Sequence, residues 1–121
     1  MPRPVLPEAQ IHPAVRPLVA GFNASIVGEV QVAAAAHPVL VVGMAGNPWC
    51  RRARRALQAA GVQHRYLEYG SYFGQWRKRT ALKMWTGWPT FPMVFVKGHL
   101  IGGSTDLDKL IASGELTHML A

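Results

Sequence analysis

The sequence contains one cysteine, Cys50, and this scarcity excludes several classes of protein. One cysteine cannot form an internal disulfide, so the 121 residues carry no framework of the kind that stabilises small extracellular domains. A chain without structural disulfides suits a reducing compartment, and we therefore expect a cytoplasmic protein. Any chemistry that needs a thiol must also depend on this single sulfur atom.

Long apolar runs are also missing. The two longest, residues 32–36 and 38–42, are separated by His37, and both are far shorter than the roughly 20 residues that a membrane-spanning helix needs. The first seven residues include three prolines and Arg3, and they lack the apolar centre of a secretory signal. We therefore expect no membrane as a partner.

Acidic residues are few. Six Asp and Glu stand against thirteen Lys and Arg, which gives a formal net charge of +7, and only Glu68 is acidic between Arg51 and Lys97. A surface of this kind attracts anions, such as a small peptide carboxylate, an acidic or thiol-bearing protein partner, or a nucleic acid. No base-reading motif accompanies the arginines, so a nucleic acid is the least expected of these partners.

The apolar spacing that is present predicts one α/β domain. Two strands joined through a helix should be parallel, and a final hairpin pair should be antiparallel. The first dozen residues are rich in proline and should form an extended lead. The predicted elements are then one or two helices over 13–36, a buried strand over 38–44, a helix from 48 to Gly61, a strand over 62–69, a helix over 73–85, a hairpin of 93–96 and 100–101, and helices over 105–112 and 115–120.

The segment Asn47-Pro48-Trp49-Cys50 should begin the helix that follows the first strand. Asn caps free backbone amides, and Pro favours the first helical position. Asn47 is then either a cap alone or a cap whose amide also contacts a ligand. Cys50 is either a small buried apolar residue or a thiol that forms mixed disulfides, helped by the helix start and by Arg54 one turn further on.

Three separated motifs resemble those of the glutaredoxin branch of the thioredoxin fold. Residues 47–50 resemble Cys-Pro-Tyr-Cys, residues 88–92 (Trp-Pro-Thr-Phe-Pro) resemble a segment whose last proline is cis, and residues 102–107 (Gly-Gly-Ser-Thr-Asp-Leu) resemble the segment that opens the last helix. The resemblance implies an α/β, thioredoxin-like three-layer fold, with a mixed four-stranded sheet flanked by helices. It places a glutaredoxin-like domain over residues 38–121 and an added, partly helical N-terminal extension over residues 1–37.

The spacing to Gly61 indicates which of the two family cysteines is missing. In the family, the first cysteine lies fourteen residues before the glycine that ends the helix, and here Asn47 lies fourteen residues before Gly61. Asn47 therefore stands where the attacking sulfur normally lies. Cys50 stands where the second, more buried cysteine lies, so any residual exchange would have to use Cys50.

The resemblance implies that a groove binds glutathione, an anionic tripeptide with a carboxylate at each end. Arg79 would meet the glycine carboxylate, and Thr90, ahead of the cis-proline Pro92, would present backbone groups to the cysteinyl part. Helix-start amides would bind the γ-glutamyl carboxylate, and an acidic side chain would pair with its ammonium. The glutathione-binding residues implied are Trp49, Arg79, Thr90, Pro92, Ser104, Thr105 and Asp106.

Five of these residues have an alternative interpretation that involves no ligand. Arg79 could belong to a solvated helix face, and Trp49 could pack in the core. Pro92 could be an ordinary trans turn proline. Ser104 or Thr105 could simply cap the last helix.

The function implied by the resemblance is that of a glutathione-binding redox protein, which carries out thiol–disulfide exchange and electron transfer. Because Asn47 replaces the nucleophile, this disulfide oxidoreductase activity should be weak or absent. The alternative is a non-catalytic module of the same fold that binds glutathione or a partner. The five histidines show no metal-ligand spacing with Cys50, so we expect no metal, and an iron–sulfur cluster is not expected without a thiolate at position 47.

Overall fold

The computed structural model describes residues 3–121, and its elements follow the predicted order. Residues Glu8–Gln10 form one 3₁₀ turn. The helices are α1 (Arg16–Gly21), α2 (Ala24–Ala36), α3 (Pro48–Ala59), α4 (Trp76–Thr86), α5 (Ser104–Ser113) and α6 (Glu115–Leu120), and the strands are β1 (Val39–Gly43), β2 (Arg65–Glu68), β3 (Met93–Val96) and β4 (His99–Gly102).

The four strands form one mixed sheet in the order β2-β1-β3-β4. β1 pairs with β2 in parallel and β3 pairs with β4 antiparallel, as predicted, and β1 also pairs antiparallel with β3. All five residues of β1 are buried, as expected for a central strand covered on both faces.

Helices cover both faces of this sheet and make the three layers that the sequence predicts. Leu40 and Val42 of β1 face a core that includes residues of α2 and α4. Val39 and Val41 face a second core, which α3, α5 and α6 complete with Ala53, Leu57, Leu107 and Leu116. Burying a leucine side chain of this kind stabilises the fold by about 1.5–3 kcal/mol.

Two elements begin three residues later than predicted. Gly61 adopts a positive φ of 70°, and the Val62 amide donates to the Leu57 carbonyl. Because these two residues end α3, β2 begins only at Arg65. α4 begins at Trp76 because residues 71–74 form a tight turn and Gln75 adopts a positive φ of 57°.

The N-terminal segment contains two helices, because Asn23 adopts a positive φ of 44° between α1 and α2. Ile26 and Val30 of α2 pack into the core on one face of the sheet. The proposed boundary between an N-terminal extension and a domain that begins at residue 38 stays a prediction. Of the expected extended lead, residues 1–2 lie outside the described part, and residues 8–10 form the 3₁₀ turn. Within residues 3–121, no helix has the length and apolar character needed to cross a bilayer.

Helix α3 approaches β1 very closely at Gly43. A Cβ atom built on Gly43 would lie 2.8 Å from Cys50 Sγ and 2.9 Å from the Tyr66 hydroxyl. Gly28, in the middle of α2, has no neighbouring atom within 4 Å of the corresponding point. The absence of a side chain at Gly43 is therefore a packing requirement, whereas Gly28 has free space around it.

The two glycines give a matched pair of substitutions. We expect Gly43→Ala to lower the free energy of unfolding by about 1–3 kcal/mol, because the new methyl group overlaps the Cys50 sulfur. Gly28→Ala should raise it by about 0.5–1 kcal/mol, because alanine favours the helix. Urea unfolding measures both, and a stabilising or neutral effect of Gly43→Ala would contradict the described packing.

Candidate functional site

The start of α3 is closed by the side chain of Asn47. Its Oδ1 accepts hydrogen bonds from the backbone amides of Trp49 (2.9 Å) and Cys50 (3.2 Å), so the predicted cap is confirmed. Amides at a helix start are the groups that would stabilise a thiolate. Here a neutral, buried amide oxygen occupies them.

The Cys50 thiol points into the protein and not toward solvent. Cys50 is only 1% exposed, and its sulfur lies beside Gly43 together with the Tyr66 hydroxyl. Burial raises the pKa of this thiol above its ordinary value of 9.0, and the negative charge of Glu68 raises it further. Backbone hydrogen bonds act in the opposite direction but do not outweigh burial. At neutral pH the sulfur therefore carries its proton.

The Tyr66 side chain lies beside Cys50, and Arg54 stacks on the Tyr66 ring. The Tyr66 hydroxyl donates to Glu68 Oε1 at 2.9 Å, and the Arg54 guanidinium lies 4.1 Å from the Tyr66 ring centroid. Burial and the bond to Glu68 raise the pKa of Tyr66. Arg54, which the sequence suggested as a helper of the thiolate, instead stacks on this ring.

A groove of about 220 Å³ lies between the loop before β3 and the start of α5. The Phe91–Pro92 peptide is cis, as predicted, which excludes the alternative of a trans turn proline. Trp49 is half-exposed at the edge of this groove, so its alternative role as a core residue is wrong. The residues that line the groove are Trp49, Trp88, Thr90, Phe91, Pro92, Gly103, Ser104, Thr105 and Asp106.

Two buried polar atoms at this groove have no hydrogen-bond partner among the described residues. They are the Ser104 hydroxyl oxygen and Trp88 Nε1. A buried polar group without a partner costs free energy, so both atoms are suited to a polar ligand. The Asp106 carboxylate already accepts a hydrogen bond from the Gly103 amide at 3.0 Å, which fixes its position at the helix start.

Two cations contact aromatic residues of the groove. Lys83 Nζ lies 5.8 Å from the Phe91 ring centroid, and the Arg52 guanidinium lies 5.4 Å from the Trp49 ring centroid. Arg52 also pairs with the exposed Asp108 carboxylate at 3.6 Å. The groove thus combines one lining carboxylate with positive charge nearby, a distribution that suits an anionic ligand carrying one ammonium group.

Arg79 is not part of the groove lining. It is 7% exposed, and its NH1 donates to the carbonyls of Tyr69 (3.0 Å) and Gly74 (2.5 Å), because the side chain faces the loop between β2 and α4. The alternative of a solvated helix face is therefore wrong. Its predicted contact with a ligand carboxylate stays a prediction.

The structure gathers most, but not all, of the predicted site residues. Asn47, Cys50 and Arg79 lie outside the groove lining, and the remaining predicted residues border it. The sequence did not single out Phe91, although it stands immediately before the cis-proline, or Trp88, which is part of the same quoted motif. Within residues 3–121, no three His, Cys, Asp or Glu side chains are close enough to share a metal ion.

Comparisons with known proteins agree on one family. A family model described as Glutaredoxin matches residues 39–101. The chain is 45% identical over 95 residues to a glutaredoxin-like protein of Dictyostelium discoideum, covering 78% of this chain and 77% of the relative.

Two solved structures share the fold. Oxidized glutaredoxin 2 from Chlamydomonas reinhardtii matches with a TM-score of 0.70 and 28% identity, covering 81% of this chain and 92% of that one. A buckwheat glutaredoxin–glutathione complex matches with a TM-score of 0.73 and 24% identity, covering 83% and 91%. The thioredoxin-like fold, with its mixed four-stranded sheet and flanking helices, is therefore confirmed.

The buried thiol predicts how stability depends on alkaline pH. Below pH 9.0 both the folded and the unfolded chain keep the Cys50 proton, so burial of the neutral thiol contributes fully to the free energy of unfolding. Above it the unfolded chain loses the proton first, so the free energy of unfolding should fall as the pH rises. Tyr66 and Tyr69, whose pKa values are also raised by burial, should extend the fall above pH 10.0.

Urea unfolding between about pH 7 and about pH 11 measures this dependence. Cys50→Ala should flatten the part of the curve that begins at pH 9.0, and Tyr66→Phe should flatten only the part above 10.0. A Cys50→Ala curve parallel to that of the unmodified protein would mean that the thiol is not buried in its neutral form.

Proposed function

The chain belongs to the glutaredoxin family of thiol–disulfide redox proteins, and from that premise we propose that this member binds glutathione but exchanges disulfides weakly or not at all. The observation that carries the proposal is the pairing of Asn47 Oδ1 with the two amides at the start of α3. The position of the attacking sulfur is filled by a group that cannot attack.

Exchange by Cys50 meets two obstacles. The reaction requires a thiolate that reaches the sulfur of a disulfide. The Cys50 thiol is buried against Gly43 and Tyr66, and its raised pKa keeps it protonated at neutral pH. A substrate disulfide could reach it only after the residues packed around it moved away. We therefore assign Cys50 a packing role, with residual exchange limited by this opening.

Glutathione fits the chemistry of the groove. Its γ-glutamyl carboxylate would bind the amides and the Ser104 hydroxyl at the start of α5, and its ammonium would pair with Asp106. Its second carboxylate carries the charge that Lys83 and Arg52 attract. The fold is also the one in which the buckwheat glutaredoxin forms its glutathione complex. Arg79 contributes indirectly in this proposal, by holding the loop after β2.

The residues present do not fit an iron–sulfur cluster. Cluster iron is held by thiolates, and the single cysteine is buried with its proton retained. Asn47 offers an amide oxygen that already accepts two hydrogen bonds. We therefore propose no cluster for this chain. The lone cysteine is also the basis for proposing a reducing, cytoplasmic compartment.

The second candidate function is that of a non-catalytic module whose groove holds a segment of an acidic or thiol-bearing partner protein. The half-exposed Trp49 at the groove edge favours it, because aromatic residues at such positions commonly anchor protein partners. Glutathione affinity separates the two candidates.

Calorimetry with reduced glutathione tests the ligand. We expect measurable binding, and Asp106→Asn should weaken it by about tenfold or more, because the ammonium loses its charged partner. Glu115→Gln, which removes an exposed carboxylate at the start of α6 away from the groove lining, is the matched control and should leave the affinity unchanged. Absence of binding heat from the unmodified protein would favour the partner-binding module.

Turnover of a glutathione mixed disulfide tests the catalytic part of the proposal. The unmodified protein and Cys50→Ser should both show rates near background. Asn47→Cys should raise the rate by about a hundredfold or more, since loss of a nucleophile commonly costs an enzyme larger factors. Asn47→Ser keeps a capping oxygen without a sulfur and serves as the control.

Two results would contradict this account. Substantial turnover by the unmodified protein that disappears in Cys50→Ser would show that Cys50 is the working nucleophile. An Asn47→Cys variant that folds and binds glutathione but stays inactive would show that the loss of activity extends beyond residue 47.

A further inference from the structure

A turn between β2 and α4 exposes three large aromatic side chains to solvent. Tyr72 is 66% exposed, Phe73 is 100% exposed and Trp76 is 60% exposed. We call residues 71–78 the aromatic turn. Clusters of exposed apolar side chains on a small protein commonly mark an interaction surface, and the proposed glutathione site uses none of these residues.

The aromatic turn is held in place by hydrogen bonds at its base. The Gly74 amide donates to the Ser71 carbonyl at 3.2 Å, and the Phe73 amide donates to the Ser71 hydroxyl oxygen at 3.2 Å. Arg79 NH1 donates to the carbonyl of Tyr69, just before the turn, and to that of Gly74, within it. The exposed rings are therefore presented by ordered backbone, so binding would cost little additional ordering of the chain.

Positive charge accompanies these rings. Arg77 and Lys78 are exposed on the first turn of α4, and the Arg77 guanidinium lies 5.3 Å from the Trp76 ring centroid. The sequence has no acidic residue between Glu68 and Asp106. The complementary partner is thus anionic and also offers an apolar layer that accepts aromatic rings.

We propose that the aromatic turn docks on the surface of a bilayer that contains anionic lipids. Phe73, at the tip, inserts at the boundary between head groups and acyl chains. Tyr72 and Trp76 lie at the head-group level, where such amphipathic rings are enriched. Arg77 and Lys78 contact anionic head groups while their aliphatic stems lie along the apolar layer.

The arrangement of the rings favours a lipid surface over a single-stranded nucleic acid. Nucleic-acid binders stack successive bases on aromatic faces that line a positively charged groove. Here Phe73 stands fully exposed at the tip of a turn, and Arg77 already lies over the Trp76 ring. The expectation of no membrane partner rested on the lack of a spanning run, and surface docking requires no such run.

Docking would also orient the protein. The Ala45 amide donates to the Gly70 carbonyl at 2.7 Å, which joins the loop before Asn47 to the base of the aromatic turn. The loop that leads into α3 is therefore hydrogen-bonded directly to the base of the docking surface.

Vesicle flotation with the full chain tests the proposal. The vesicles contain phosphatidylcholine alone or with about one third phosphatidylserine. We expect partition onto the anionic vesicles to exceed that onto neutral vesicles by about tenfold or more. Phe73→Ser should lower it by about tenfold, and Arg77→Gln and Lys78→Gln by about fivefold each.

Matched controls separate this site from general positive charge. Val32→Ser removes an apolar side chain that is 71% exposed on α2, and Arg55→Gln removes an exposed charge on α3. Both should partition like the unmodified protein, and circular dichroism should show every variant folded.

Several results would overturn the proposal. One is the absence of binding to anionic vesicles, and another is equal weakening by Arg55→Gln and Arg77→Gln. Unchanged partition of Phe73→Ser would be a third. Saturable binding of a single-stranded oligonucleotide that requires Phe73, without vesicle binding, would assign the aromatic turn to nucleic acid.

Discussion

Asn47 Oδ1 accepts hydrogen bonds from two backbone amides, and the start of α3 depends on this interaction. It begins α3, and α3 in turn supplies Cys50, Ala53 and Leu57 to the packing against the sheet. A thiolate at the same position would use these amides to stabilise its charge, whereas asparagine uses them to stabilise the helix. In the function we propose, this one side chain preserves the local fold at the position where the attacking sulfur is expected.

The groove and the Cys50 thiol lie in separate parts of the structure. The groove is built mainly from the cis-proline loop and the start of α5, and Trp49 is the one lining residue that α3 supplies. Cys50 instead belongs to the interface between α3 and β1, where Gly43 leaves the space that the sulfur fills. The proposed loss of the nucleophile is therefore compatible with a groove that keeps its unpartnered polar atoms, because different contacts maintain the two regions.

The sequence predicted those features that are determined by a few neighbouring residues. The cap by Asn47 and the directions of the first and the last strand pairs follow from local patterns, and the cis bond before Pro92 follows from the family resemblance. Features set by tertiary packing were not predictable. The sequence offered burial of Cys50 as one of two alternatives but could not decide between them, and the stacking of Arg54 on Tyr66 leaves no trace in residue spacing. The later starts of β2 and α4 depend on positive φ angles at Gly61 and Gln75. Glycine favours a positive φ, so Gly61 could have been expected to adopt one, whereas glutamine gives no such indication.

Arg79 has a role in the fold that requires no ligand, although the family resemblance implies that it binds one. Its guanidinium holds two carbonyls where the chain leaves β2 and turns into α4, and few side chains other than arginine could reach both from this position. Selection for a correctly folded loop would keep this arginine even in a lineage that had stopped using the groove. Its presence in a divergent homologue is therefore weak support for ligand binding in that homologue, and the unpartnered atoms of Ser104 and Trp88 are the better guide.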